Sequence, residues 1–282
     1  MRFMGRFLGC ALAAALLFGA SACSTPGPDT SDTPAAAPST GSAAPRPVNA
    51  PPTGAPVDYQ LGGAYPPPEG VTVVSRDHGA APAAGLYNIC YVNAFQAQPG
   101  ADAEWDADLL LRAGDGKLVV DNDWHETLLD LRTPEKRERI AAKVYGWIDQ
   151  CADKGFQAVE PDNYDSFLRS EGLLTDAEAQ EFVRLLSAHA HGKGLAVAQK
   201  NTSELAPRHA ANGLDFAVVE ECGEQGDCAE YVSAFGDHVI VIEYTDDGLA
   251  KACAEGGGRL SIVRRDHGVA PLGNAEYVRK TC

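Results

Sequence analysis

Past residue 57 the chain alternates short apolar runs with longer stretches of helical period. The runs fall at 71–74, 86–92, 109–111 or 128–131, 156–159, 195–198, 216–219, 239–242 and 260–263. Each has strand length and is apolar throughout, as expected of parallel strands covered on both faces. Between several of them lie helix signals. Thr133-Pro134 is a cap followed by a first-turn proline, after which Ile140, Val144, Trp147, Ile148 and Cys151 share one face. Thr175 and Glu178 form a capping box; Phe182, Leu185, Leu186 and His189 continue an inner face that Gly192 and Gly194 end.

Strand and helix in repeated succession imply parallel pairing with right-handed crossovers. Eight runs predict a closed (β/α)8 TIM-type barrel over residues 57–282. An open doubly wound sheet is the alternative, but no Gly-rich phosphate loop follows the first run. One internal echo stands out: Arg76-Asp77-His78-Gly79 recurs as Arg265-Asp266-His267-Gly268. If the runs before them are the first and last strands, a closed barrel sets the two Asp-His pairs side by side; the competing reading is shared turn chemistry.

The strand tips carry the chemistry. The run at 156–159 stops at Glu160-Pro161-Asp162-Asn163, and that at 216–219 at Glu220-Glu221-Cys222. Function collects where parallel strands emerge. Side chains alternate along a strand, so Glu160 and Asp162 share a face while Glu220 and Glu221 do not. Glu243, Asp77 and Asp266 are further rim acids, and Lys200-Asn201 ends the fifth strand in the same way. Tyr91 and Asn93, with Phe95, follow the second and could line a sugar platform. Two carboxylates on different strands satisfy acetal hydrolysis, which needs a proton donor and a nucleophile or base. No Ser-His-Asp spacing, P-loop or zincin motif is present, and no clustered Cys/His spacing, so neither cofactor nor metal is expected.

The ends modify this picture. Arg2 and Arg6 precede an apolar run too short to span a bilayer, and Ala20-Ser21-Ala22-Cys23 resembles a lipobox. Residues 1–23 are read as an export signal, with lipidation at Cys23 or ordinary cleavage near Ala22. Residues 24–56, rich in Pro, Ala, Ser and Thr, read as a disordered tether. The protein is expected outside the cytoplasm, held to the membrane only by an N-terminal lipid, and monomeric. Loss of Arg2 and Arg6 from 23 basic residues leaves 21 against 39 acids, a formal charge of about −18. Such a chain repels nucleic acid and suits a neutral or cationic substrate. Six cysteines follow the leader, which points to disulfides in an exported protein. Cys222 and Cys228 bracket a short loop, Cys253 and Cys282 would fasten the C-terminus, and Cys90 with Cys151 follows by elimination.

From Ile89-Cys90-Tyr91 through Trp124, Leu129-Asp130-Leu131-Arg132, Glu160-Pro161-Asp162-Asn163, Lys200-Asn201, Asp215-Phe216-Ala217-Val218, Glu220, Cys222, Cys228 and Glu243-Tyr244, the chain resembles glycoside hydrolase family 114. These are endo-α-1,4-polygalactosaminidase-like barrels. The resemblance implies a TIM-type barrel cleaving α-1,4-linked galactosamine polymers, with Asp162 as nucleophile and Glu220 as acid/base. Asp77, Tyr91, Asn93, Glu160, Asn163, Lys200, Asn201, Glu243, Tyr244 and Asp266 are then expected to contact sugar. The rival expectation is a cell-surface lipoprotein that binds glycan without cleaving it.

Overall fold

The computed structural model describes residues 47–282. The export signal, Cys23 and the tether up to residue 46 lie outside the described residues. Residues 47–56 do not continue that tether. Pro51 and Ala55 are buried, Pro51 O lies 3.0 Å from His238 Nδ1, and Tyr87 donates its hydroxyl to Asn49 O at 2.6 Å. The packed domain therefore begins some eight residues before the expected boundary.

Alternation then builds the first strand. Val57, Tyr59 and Leu61 are apolar and Asp58 and Gln60 polar, and the segment forms β1 (Val57–Gln60). The chain continues through β2 (Val73–Asp77), β3 (Tyr87–Asn93), β4 (Gln96–Ala97), β5 (Val120–Asp121), β6 (Glu126–Leu128), α1 (Pro134–Lys154), β7 (Ala158–Asp162), α2 (Asp176–Gly192) and β8 (Ala196–Lys200). It ends with α3 (His209–Asn212), β9 (Phe216–Glu220), α4 (Cys222–Gln225), α5 (Cys228–Phe235), β10 (Val239–Glu243), α6 (Asp246–Gly256), β11 (Ser261–Arg265) and β12 (Arg279–Lys280).

The main sheet runs β1-β2-β3-β7-β8-β9-β10-β11-β12. Its first eight strands are parallel, and β12 pairs antiparallel with β11. The sheet curls into a nearly closed TIM-type barrel. At the seam, Arg279 donates to Val57 O at 2.9 Å and Gly62 N to Val269 O at 3.2 Å. A Cβ on Gly62 would lie 2.5 Å from that carbonyl, so the closure requires glycine there.

Two strand expectations are corrected. The run at 71–74 belongs to the second barrel strand, and β1 is the first. The segments 109–111 and 128–131 supply no barrel strand; they belong to a small antiparallel sheet, β4-β6-β5, inserted before α1. Consequently β1 separates the two echoed Asp-His segments. His78 stacks on Trp147 of α1, whereas His267 stacks on Trp124, so the pairs do not stand side by side.

Period-2 alternation divides the core in two. Tyr59, Val73, Ile89, Ala158, Ala196, Ala198, Phe216, Val218, Ile240 and Ile242 fill the barrel interior. Residues of opposite parity, such as Val159, Val197, Val219 and Val241, pack outward against the helices. The first two crossovers carry no helix; Val71, Val74, Ala83 and Leu86 form a small apolar cluster of their own. Helix α1 starts at Thr133, whose Oγ1 accepts from Lys136 N, and α2 at the Thr175–Glu178 capping box.

Three disulfides join Cys90–Cys151, Cys222–Cys228 and Cys253–Cys282, as expected. The first ties β3 to the last turn of α1 across 61 residues. Replacing both of its cysteines by Ala is expected to lower unfolding free energy by about 2–5 kcal/mol. An unchanged denaturant midpoint would refute that role.

Candidate active site

The interior parity carries four polar side chains to the C-terminal mouth: Asp162 on β7, Lys200 on β8, Glu220 on β9 and Tyr244 just after β10. Two asparagines make the turns beyond the strand ends. Asn163 and Asn201 have φ of 65° and 48°, a left-handed conformation that Asn tolerates. Asn163 N then donates to Asp162 Oδ1 at 2.8 Å. Asn201 grips Glu220 twice, through its Nδ2 to Oε2 at 3.0 Å and through its Oδ1, which accepts from Glu220 N at 2.8 Å.

Lys200 is the hub and only 3% exposed. Its Nζ lies 3.1 Å from Asp162 Oδ1, 3.2 Å from Glu220 Oε2 and 3.4 Å from Glu160 Oε1. Each carboxylate also takes one phenol. Tyr91 donates to Asp162 at 2.5 Å, Tyr59 to Glu160 at 2.6 Å, and Tyr244 to Glu220. Burial and the neighbouring acids push all three phenols well above their ordinary range, so they remain donors. Burial opposes the charge of Asp162, but Lys200, the Tyr91 hydroxyl and the Asn163 N–H outweigh it and hold its carboxyl below the usual range. Burial likewise opposes the charge of Lys200, yet Asp162 and Glu220 raise it overall. Glu160 goes the other way, since its desolvation outweighs Lys200.

A cavity of about 380 Å³ opens above this cluster. It continues past Glu220, Trp124 and His267 into a second hollow of about 690 Å³. One wall comes from the β5–β6 hairpin, which supplies Asp121, Asp123, Trp124 and Glu126. Trp124, 52% exposed, stacks on His267 at 5.6 Å, and His267 lies 4.9 Å from Tyr244, giving the cleft an aromatic edge. Arg169 braces the wall, pairing with Asp121 at 2.8 Å and with Asp165 at 2.8 Å. Acids dominate the lining. Beyond those named, Asp77 lies on the first hollow and Glu204, Glu221 and Asp227 on the second.

The expected site residues divide by depth and parity. Asp162, Glu220, Asp77, Tyr91, Asn163, Lys200, Asn201 and Tyr244 line the cavity. Glu160 points inward but sits one side-chain layer deeper, fully buried under Tyr59 and Ser75, whose hydroxyl reaches its Oε2 at 2.8 Å. Asn93 is buried behind the wall and accepts from Asn163 Nδ2 at 2.9 Å. Four expectations of sugar contact are therefore corrected, since neither Glu160 nor Asn93 reaches the cavity and Glu243 and Asp266 point elsewhere. Glu243 has the parity opposite to Tyr244 and faces α4, where Gly223 N donates to it at 2.7 Å. Asp266 spends its oxygens on Ala270 N and Val278 N, at 2.8 and 3.1 Å, as a turn anchor.

Sequence reasoning missed Tyr59, Asp121, Asp123, Glu126 and Arg169 and did not place Trp124 in the site; His267 was expected at the rim only as half of an Asp-His pair beside Asp77-His78, and it lines the cavity without that neighbour. The dense run Asp121-Asn122-Asp123-Trp124-His125-Glu126 was the available signal: acids around a lone Trp on a loop.

The family model of glycoside-hydrolase family GH114 matches residues 37–282. Among solved structures, Aspergillus fumigatus Ega3 in complex with galactosamine is similar, with a TM-score of 0.66 and 21% identity, over 85% of this chain and 98% of that one. The glycoside hydrolase domain of Pseudomonas aeruginosa PelA is also similar, with a TM-score of 0.53 and 17% identity, over 78% of this chain and 98% of the other. No curated protein sequence matches the chain. The family match over most of the sequence, on a barrel whose mouth holds Asp162 and Glu220, makes this chain a member of glycoside-hydrolase family GH114.

Proposed function

We propose that the protein hydrolyses α-1,4-linked galactosamine polymers with Asp162 as nucleophile and Glu220 as acid/base. The observation that carries this reading is the pair itself: two carboxylates from different strands flanking one Lys200 ammonium at the floor of an acidic cleft. Asp162, kept ionised by its three donors, suits attack on the anomeric carbon. Glu220 would protonate the departing glycosidic oxygen. It would then take a proton from the water that attacks the same carbon and frees Asp162.

The spacing supports retention of configuration. Asp162 Oδ1 and Glu220 Oε2 lie 3.1 and 3.2 Å from the same nitrogen, so they are at most about 6.3 Å apart. Retaining pairs stand about 5–5.5 Å apart and inverting pairs about 6.5–9.5 Å. The acid-rich lining favours a polymer that carries free ammonium groups. The galactosamine bound to Ega3 is consistent with that chemistry. Export, with anchoring at Cys23, is part of the proposal and is supported by the basic-apolar leader and three disulfides.

Incubation with de-N-acetylated α-1,4-galactosamine polymer is expected to generate new reducing ends as short oligomers, with affinity falling as salt rises. Binding without new reducing ends would instead identify a non-catalytic glycan receptor. Binding indifferent to salt would remove the electrostatic argument.

A further inference from the structure

The acids closest to the floor of the cleft already have cations. Asp162 and Glu220 share Lys200, and Asp121 and Asp165 share Arg169. Glu126 is different. It is 8% exposed and lines the cavity, yet among the described residues it forms no ion pair. Its Oε2 accepts from Asn163 Nδ2 at 3.2 Å, which sets it on the wall one residue's reach from Asp162. The groups facing it are Asn93 from β3, Asn163 and Asp162 from the tip of β7, and Asp121 from β5, with Arg169 turned toward Asp121 and Asp165.

We infer that Glu126 selects sugars bearing a free ammonium over their N-acetylated counterparts, through a direct charge-assisted hydrogen bond beside the proposed nucleophile. The inference rests on the function proposed above and adds a residue to it. A buried carboxyl between two acids and without a cation is costly to ionise. Burial pushes Glu126 up to about 7, Asp162 and Asp121 add to the rise, and the Asn93 and Asn163 amides oppose it. An incoming ammonium supplies the missing counter-charge, so binding and ionisation favour one another. An acetamide offers no charge and leaves an ionised Glu126 without a counter-charge, which is how a polar pocket disfavours an analogue. Asp123 on the same hairpin is exposed and screened by water, so it is poorly suited to this discrimination.

The test compares deacetylated with N-acetylated galactosamine oligomers on wild type and Glu126→Gln, a near-isosteric change that keeps an acceptor oxygen for Asn163. The ratio of kcat/KM for the two substrates is expected to fall at least about tenfold in the variant, the size of one charge-assisted hydrogen bond. A second readout needs no turnover. At about pH 6 a sugar amine stays protonated, while Glu126 is mostly neutral. Calorimetric titration with a galactosamine oligomer in buffers of different ionisation enthalpy should therefore show wild type releasing protons on binding and Glu126→Gln releasing fewer. A wild type that cleaves or binds the oligomer, with an unchanged substrate ratio and unchanged proton release in Glu126→Gln, overturns this inference alone. A wild type that neither cleaves nor binds overturns the proposed function, and this inference with it.

Discussion

Asp162→Asn and Glu220→Gln are each expected to lower turnover at least about a thousandfold while leaving the barrel folded. Either amide keeps the shape and the hydrogen bonds to Tyr91 or Tyr244, and Lys200 keeps two other carboxylates, so the packing has little reason to fail. What is lost is specific to each role. Asn at 162 cannot bond to the anomeric carbon, and every substrate should suffer. Gln at 220 cannot protonate a leaving oxygen, so an aryl glycoside, whose phenolate departs without help, should be spared much of the loss. Steady-state rates on polymer and on an aryl galactosaminide separate the two. Wild-type turnover in both variants would remove the site assignment, and the same substrate dependence in both would remove the division of roles.

Lys200→Met is expected to lower unfolding free energy by about 3–5 kcal/mol at neutral pH, because it strands carboxylates that no other cation among the described residues reaches. Asp162, Glu160 and Glu220 all lie within 3.4 Å of its Nζ, and the side chain is buried. The pH dependence near Asp162 should also reverse. In wild type its carboxyl lies below the usual range, so its contribution is present above the unfolded value and is lost as pH falls through the folded one. Without Lys200, burial dominates, the carboxyl rises, and acid should stabilise the variant over that window. Adding Glu160→Gln should return part of the loss by removing one stranded acid. Denaturant unfolding at two pH values checks all three statements. A Lys200→Met protein as stable as wild type at neutral pH would show that the ammonium is not what holds these acids in place.

Much of this could be read from residues in order. Seven of the eight parallel strands announced themselves as apolar runs with abrupt polar ends. Thr133-Pro134 and Thr175-Glu178 marked the starts of the two long helices. The eighth strand was also legible, since Val57-Asp58-Tyr59-Gln60-Leu61 has period two, but its polar alternates keep it from reading as a continuous apolar run. Glu243 shows the limit of tip logic. It stands at a strand end like Glu220, yet parity turns it onto the helical side, against Gly223 and Gly248.

The chain alone determined a parallel barrel, its disulfide pairing and a carboxylate at the end of each of two strands, because local periodicity and residue chemistry act over a few positions. Tertiary structure decided which of the rim acids face one another, that a single buried lysine ties three of them together, and that a hairpin remote from every barrel strand in sequence carries Glu126 and Trp124 to the mouth. Those choices depend on strand tilt, on the order in which strands close, and on where an inserted sheet folds back. None of these leaves a local trace, because each follows from the free energy of packing the whole domain.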